Sequence, residues 1–427
     1  MDEVREPLIA PTSNGDLIDH DDVKSGLRRM FNPRLLGVML LWLLTGSCTA
    51  AAGVFIAPIK KHYELSDGQA ASIFAAGTCG YLCATSILDR VVARGWRTLA
   101  MLSVFFAAIG ATVLSTAPPF PLVLASYAVL MFGLGSGDSG FNVWASRAPH
   151  PHIVQGFIHS SFSVGCIAGP FVAAQLLSYG WYLFYRLMIL CFSLCGMWLW
   201  LAFRSPTERT SDSLVSTARM DHSPRLLQTL QLLPVWTCAV FYLFYVGTEA
   251  IFTDWGPEYM TRVKQIPAQQ SPLASSLFWL GMATGRLVLS FVTQKISLRT
   301  VTVYLAVALG LQNLLRVNDP SVCLGAIFSI GFFLGPTFPS GILVLTNAVP
   351  RSFSANAVAI AAAVGQIGGA ITPVSLGFLS DRVGLSHLPD VSLICSCATM
   401  VLWVSLFWQA SGSKREYDPD ENESFEP

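Results

Sequence analysis

An all-α membrane protein of twelve transmembrane helices, set out as two parallel six-helix pseudo-repeats, is the fold this sequence predicts. Three observations predict it. Of 427 residues 53% are hydrophobic and only 12% charged, with a mean hydropathy of +0.54, where an ordinary soluble domain carries about 25% charged residues. Twelve apolar stretches follow one another, close to the roughly 20 residues that cross a bilayer. The second six then repeat features of the first. With a formal net charge of zero, no basic surface argues for nucleic acid, and the cysteines show no zinc spacing, so no metal site is expected.

In chain order, residues 1–34 are polar and rich in acids, unlike the basic-then-apolar pattern of a cleaved signal peptide, and are expected to form a disordered cytosolic tail. Spans are predicted over 35–58, 69–88, 98–116, 120–146, 152–178 and 181–203, making an N-terminal bundle of residues 35–204. A polar linker rich in Ser and Thr, 205–231, follows. Spans over 233–257, 273–293, 299–315, 321–347, 354–379 and 389–409 make a C-terminal bundle, 232–410, before a second cytosolic tail, 411–427. All ten cysteines fall in apolar runs and read as small buried side chains rather than a disulfide framework.

Orientation follows from the cations. Arg28, Arg29, Arg94, Arg97, Arg204 and most others crowd the ends that face the termini, while the opposite ends hold only Lys60, Lys61, Arg262, Lys264, Arg316 and Arg382. The positive-inside rule therefore puts both termini in the cytosol. Whether the membrane is the plasma or the vacuolar membrane is left open.

The repeat is legible in short matches. "VGCIAGP" at Val164–Pro170 faces "VGQIGGA" at Val364–Ala370, and "FGLG" at Phe132–Gly135 answers "GFFLG" at Gly331–Gly335. Parallel halves related by an axis along the membrane normal are a transporter arrangement, with the substrate near midplane between them.

At this point the residues carry a resemblance. Six plus six spans around a polar linker, with "GLGSGDSGFNVWASRAPHPHIVQGFIHSSFSVGCIAGP", "FYVGTEAIFTDWGPEYM" and "FWLGMATGRLVLSF", resemble the major facilitator superfamily, in particular its fucose permease and sodium-glucose transporter-like branch and a fungal group within it. The resemblance implies secondary transport of a small polar organic solute, sugar-like, by alternating access. It implies a proton, or sodium, as coupling ion, no cofactor, no enzymatic chemistry, and a monomer working in the lipid bilayer.

Departures bear on that reading. The family's loop motif between the second and third spans survives as "TSILDRVVARGWR", with Thr85 where a glycine is expected; Asp89 and Arg90 are candidates for a gating loop or for plain loop anchoring. The fifth span carries Gly156, Gly165, Gly169 and Pro170, which resembles the motif of drug antiporters. On physical grounds such residues let helix backbones approach closely. The alternative function, proton-antiport efflux of a metabolite or drug, rests on that motif, although the fourth span lacks the arginine usual in such exporters.

Buried ionisable groups carry the functional argument, since a charge at the centre of a span costs about 2.5–3.5 kcal/mol even on lenient scales. Asp138 and His159 flank one turn, each about ten residues from it and hence about 15 Å deep. They are candidates for proton coupling, or for a structural pair that ties the fourth and fifth spans. Glycines 133, 135, 137 and 140 thin the wall around Asp138. Glu249 is the matching candidate in the second half, and Asp254 beside Trp255 reads equally as an interfacial residue. Asn142, one turn beyond Asp138, with Trp255, Trp279 and Gln366, are candidates for the substrate pathway. Arg186 and Arg286 read as structural partners or substrate contacts, Arg286 with room to snorkel toward the cytosolic end.

Overall fold

Residues 32–146, 148, 151–204, 228–295, 299–350 and 353–417 are described by a computed structural model. The expected tails and linker lie largely outside these residues. Among them the secondary structure is helical, with no strand.

The N-terminal half comprises α1 (Pro33–Tyr63), α2 (Asp67–Val92), α3 (Trp96–Leu114), α4 (Phe120–Ser146), α5 (Pro151–Leu176) and α6 (Tyr182–Ala202). The C-terminal half comprises α7 (Leu233–Arg262), α8 (Leu273–Lys295), α9 (Thr300–Arg316), α10 (Pro320–Ala348), α11 (Ser354–Val383) and α12 (Leu388–Tyr417). Ten of these are long and apolar enough to cross a membrane; in α8 and α9 the apolar stretches, Leu273–Leu289 and Thr300–Arg316, are shorter. The chain is an integral, multi-pass membrane protein. Crossing an even number of times brings the start of α1 and the end of α12 to one face, the near side; the other face is the far side.

Local chemistry sets the helix ends. Asn32 accepts from Leu35 N at 2.9 Å with Pro33 in the first turn, and Asp319 does the same for α10 ahead of Pro320. Ser66 and Gln69 form a reciprocal capping box on α2. Helices run past some predicted spans: α1 passes Pro58 to Tyr63 and α12 reaches Tyr417. Hydropathy marks where the bilayer ends, whereas backbone hydrogen bonds let the helix continue into water.

Close packing repeats between the halves. A side chain on Gly165 or Gly169 of α5 would overlap the backbone of Leu43 or Ser47 in α1, and one on Gly368 of α11 would overlap Leu243 in α7. The α1–α5 and α7–α11 pairs are thus counterparts, as are α2–α4 and α8–α10. Gly156 departs from the expected packing stripe, because nothing lies within 4 Å of where its Cβ would be. The cysteines also divide: Cys79, Cys83 and Cys397 are exposed rather than buried.

Between the halves, α2 packs on α11, α5 on α8 and α1 on α7. These seams close on the far side, where Gly68 lies under the Phe378 ring and Ser276 Oγ donates to Ile167 O at 2.9 Å. Toward the near side the same faces open. Cys79, about three turns along α2 from Gly68, and Cys83 are exposed, as are Gly156 and Ser160 of α5 and Ala359 and Ala363 of α11. The molecule is closed on the far side and open to the near side.

Candidate functional site

Three clusters of polar side chains lie on or beside the path between the halves. The central one belongs mostly to the C-terminal half. Arg286 Nη2 of α8 stands 3.8 Å from Glu249 Oε1 of α7, with the arginine side chain 30% exposed and the carboxylate only 13%. Tyr245, one turn before Glu249, lies against both and gives its hydroxyl to Leu334 O at 3.2 Å. Among the described residues Glu249 Oε1 has no hydrogen bond. The pair is therefore long, and its cation faces the open path. Arg286 does not snorkel to a helix end; it is within electrostatic reach of His159 and Cys166 across the seam.

From the other half, His159 meets the Trp42 ring edge-on at 4.7 Å. Trp279 of α8 meets Phe162 of α5 at 5.7 Å between ring centres, and its indole N–H is buried with no hydrogen bond among the described residues. Gln366 is half-buried near this level of α11. A half-buried guanidinium, an imidazole and an amide, with the buried Trp279 indole behind them, make a wall that is apolar with a few polar groups, as small-molecule sites are.

The second cluster lies within the N-terminal half. Tyr81 of α2 donates a hydrogen bond to Asp138 Oδ2 of α4, and Ser139 Oγ reaches the Tyr81 oxygen at 3.4 Å. No hydrogen bond or ion pair among the described residues joins Asp138 to His159, although sequence depth allows one. Helical depth fixes height only, and rotation about the axis turns Asp138 to α2. The glycines do admit neighbours: Gly135 makes room for Tyr81, and Gly133 for the backbone of α3. Asn142 donates its amide N–H to Asp138 O at 3.1 Å.

The third cluster closes the far side, and sequence reading missed it. Asp67, at the start of α2 and 1% exposed, takes a salt bridge from Lys60, one from Arg262 of α7 at 2.7 Å, and a hydrogen bond from Ser380 of α11 at 2.7 Å. Asp381 of α11 in turn accepts from the Asp67 and Gly68 backbone N–H groups at 2.7 and 2.8 Å. Those are orphan donors of the first turn of α2, which a carboxylate from the other half satisfies. The available signal was the scarcity of cations on that side, which singles out Lys60 and Arg262. Trp255 sits in the same seam, fully buried with its indole N–H on Pro373 O at 2.9 Å, so its faces are taken by packing rather than turned to the path.

Asp89 and Arg90 are exposed at the near end of α2, away from all three clusters. Arg186 lies over the Tyr182 ring, and among the described residues no group of His, Cys, Asp and Glu fits a metal ion.

Two six-helix repeats, closed on one side, open on the other, and lined at the seam by polar groups, define a membrane transporter for small molecules rather than an enzyme. The chain belongs to the Major Facilitator Superfamily, whose family model matches residues 38–373 and 237–424. It is 25% identical over 415 residues to Bypass of stop codon protein 6 of Saccharomyces cerevisiae, covering 88% of this chain and 81% of that one. In fold it is similar to a D-xylose-proton symporter, with a TM-score of 0.71 at 14% identity over 88% of this chain and 97% of the other. A bacterial homologue of the human lysosomal transporter Spinster, inward-facing and occupied, gives 0.66 at 16% identity over 90% and 97%.

Proposed function

We propose that the chain moves a small polar organic solute, sugar-like, across its membrane by alternating access coupled to protons, with both termini in the cytosol of a plasma or vacuolar membrane. On that orientation the near side is cytosolic and the structure is the inward-facing state. The observation that carries the reading is the long Glu249–Arg286 pair, whose cation opens onto the path opposite His159. A loose pair with a buried carboxylate changes partner when a proton or a solute hydroxyl arrives, which a purely structural bridge does not need. Asp138, His159 and Glu249 handle the proton in this reading, Asn142 and Gln366 offer polar groups to the solute, and Trp279 offers its ring. Trp255 is left out, being enclosed.

Likeness in fold to a D-xylose-proton symporter accords with the sugar-like class; Gly165 and Gly169 pack α5 on α1, which suits the efflux alternative equally, so the solute panel decides between them. The test is uptake of a panel of radiolabelled pentoses, hexoses and polyols into vesicles holding the purified protein, with and without an inward proton gradient. Accumulation is expected only with the gradient, and Asp138→Asn is expected to abolish accumulation while sparing exchange at equal pH. Undiminished accumulation by Asp138→Asn moves the proton role to Glu249, whereas accumulation without a gradient, or movement of apolar compounds alone, overturns the reading.

A further inference from the structure

Asp254 is used by none of the roles above. It sits in a π turn, Ile251–Trp255, that interrupts α7 just ahead of Gly256 and Pro257. The proline explains the turn: its ring clashes with the carbonyl of Thr253 and it supplies no N–H, so the helix widens there. Thr253 and Trp255 are both tied, to Glu249 O at 2.8 Å and Pro373 O at 2.9 Å. Asp254 between them is 7% exposed, and among the described residues its carboxyl makes no hydrogen bond or ion pair, its oxygens keeping a little contact with solvent.

The walls that enclose it come from both halves. Gly53 of α1 lies so close that a Cβ there would stand 2.5 Å from Thr253 O and 2.6 Å from the Asp254 Cα. Tyr127 of α4 is within electrostatic reach of the carboxyl, with Cys48 of α1 and Tyr185 of α6 around that hydroxyl. From α8 the turn is met by uncharged groups such as Phe278, and from α11 by Pro373. Charged groups of the same elements are engaged elsewhere: Lys60 on Asp67, Arg286 on Glu249, Glu258 on Arg262 at 3.7 Å, and Asp381 on the α2 N-terminus. An ionised carboxylate without a partner in such a place is costly, and protonation is the ordinary escape.

We propose that Asp254 is a proton-binding site of the far-side gate: an O–H bond forms on its carboxylate, with the proton drawn from solvent, as the halves close on that side, and the proton returns to water when they part. Asp254 belongs to one half and Gly53 and Tyr127 to the other, so opening the far side hydrates the carboxyl and closing it expels that water. Closure then takes up one proton. The closed-to-open ratio rises as pH falls, by as much as about tenfold per pH unit for a single linked proton. This goes beyond the proposed function and needs no solute.

The test is a distance measurement on the full chain in lipid nanodiscs. Spin labels go on Thr116→Cys and Asn318→Cys, exposed far-side positions of the two halves, with the exposed Cys79, Cys83 and Cys397 replaced by Ala. With no solute added, the short far-side distance is expected to give way to a longer one as pH rises. Asp254→Asn is expected to stay short at every pH, and Asp254→Glu to recover the response. A wild-type distance that ignores pH overturns the proposal, as does a response that survives in Asp254→Asn or follows sodium at constant pH. If Asp254→Asn does not reach the membrane, Asp254→Ser replaces it with the same expectation. Failure of gradient-driven uptake with an intact Asp254 response would count against the proposed function alone.

Discussion

A guanidinium 3.8 Å from a carboxylate is held by charge more than by a hydrogen bond, and Arg286 is the freer of the two. Arg286→Ala leaves Glu249 enclosed without its cation, which should cost about 1–3 kcal/mol and lower the melting temperature in detergent. Adding Glu249→Gln removes the stranded charge, so the double variant is expected to melt above the single one. A double variant that melts lower still would mean that the two side chains stabilise the fold separately. Only part of this was legible in the sequence. Glu249 stood out as an acid inside a span, and Tyr245 was available one turn away on the same stripe. Arg286 was visible as a cation but not as this carboxylate's partner, because nothing in linear spacing sets α8 against α7.

At the scale of elements, α2 shows how a helix end serves as a latch. Its first turn satisfies one donor with its own capping box and two more with Asp381 of α11, so its N-terminus is complete only while the halves touch there. Asp381 is exposed, and a carboxylate at a helix N-terminus contributes about 0.3–1 kcal/mol. Asp381→Ala is therefore expected to shift the far-side distance toward the open population by about two- to fivefold, read with the same spin-label pair. An unchanged distribution would leave Asp67, with its three donors, as the whole latch. Element existence was readable from apolar runs, and the close α1–α5 approach from Gly165 and Gly169. Gly156 misled, because a glycine stripe tells of room for a neighbour and not of where along the helix the neighbour lies.

For the whole molecule, orientation is the property that charge counting addresses most directly. A cysteine at Gln269, exposed in the far-side connection between α7 and α8, is expected to react with a membrane-impermeant maleimide on intact cells. One at Ser211, in the linker, is expected to react only after permeabilisation. The reverse pattern would turn the molecule over and make the closed side cytosolic. The exterior agrees with a lipid setting: Leu190, Met197, Val401 and Trp408 are between 57% and 76% exposed, which in water would be a large unpartnered apolar surface.

The sequence by itself determined that this chain is a membrane protein, that it crosses in two sets of six, and that its halves repeat. These properties follow from composition and from the bilayer's demand that every span be apolar and hydrogen-bonded within itself. It also determined which acids had to be explained, Asp138 and Glu249, since each stands where charge is costly, while Asp254 read equally as an interfacial residue. Only the tertiary structure decided what those acids meet: Tyr81 for Asp138, Arg286 for Glu249, and, among the described residues, no partner for Asp254. It also decided that Trp255 is sealed in a seam and that Asp67 and Asp381 close the far side. The reason is geometric. Depth along a helix is fixed by 1.5 Å per residue, but which faces meet across two halves depends on the packing of elements far apart in the chain, and no local pattern records it.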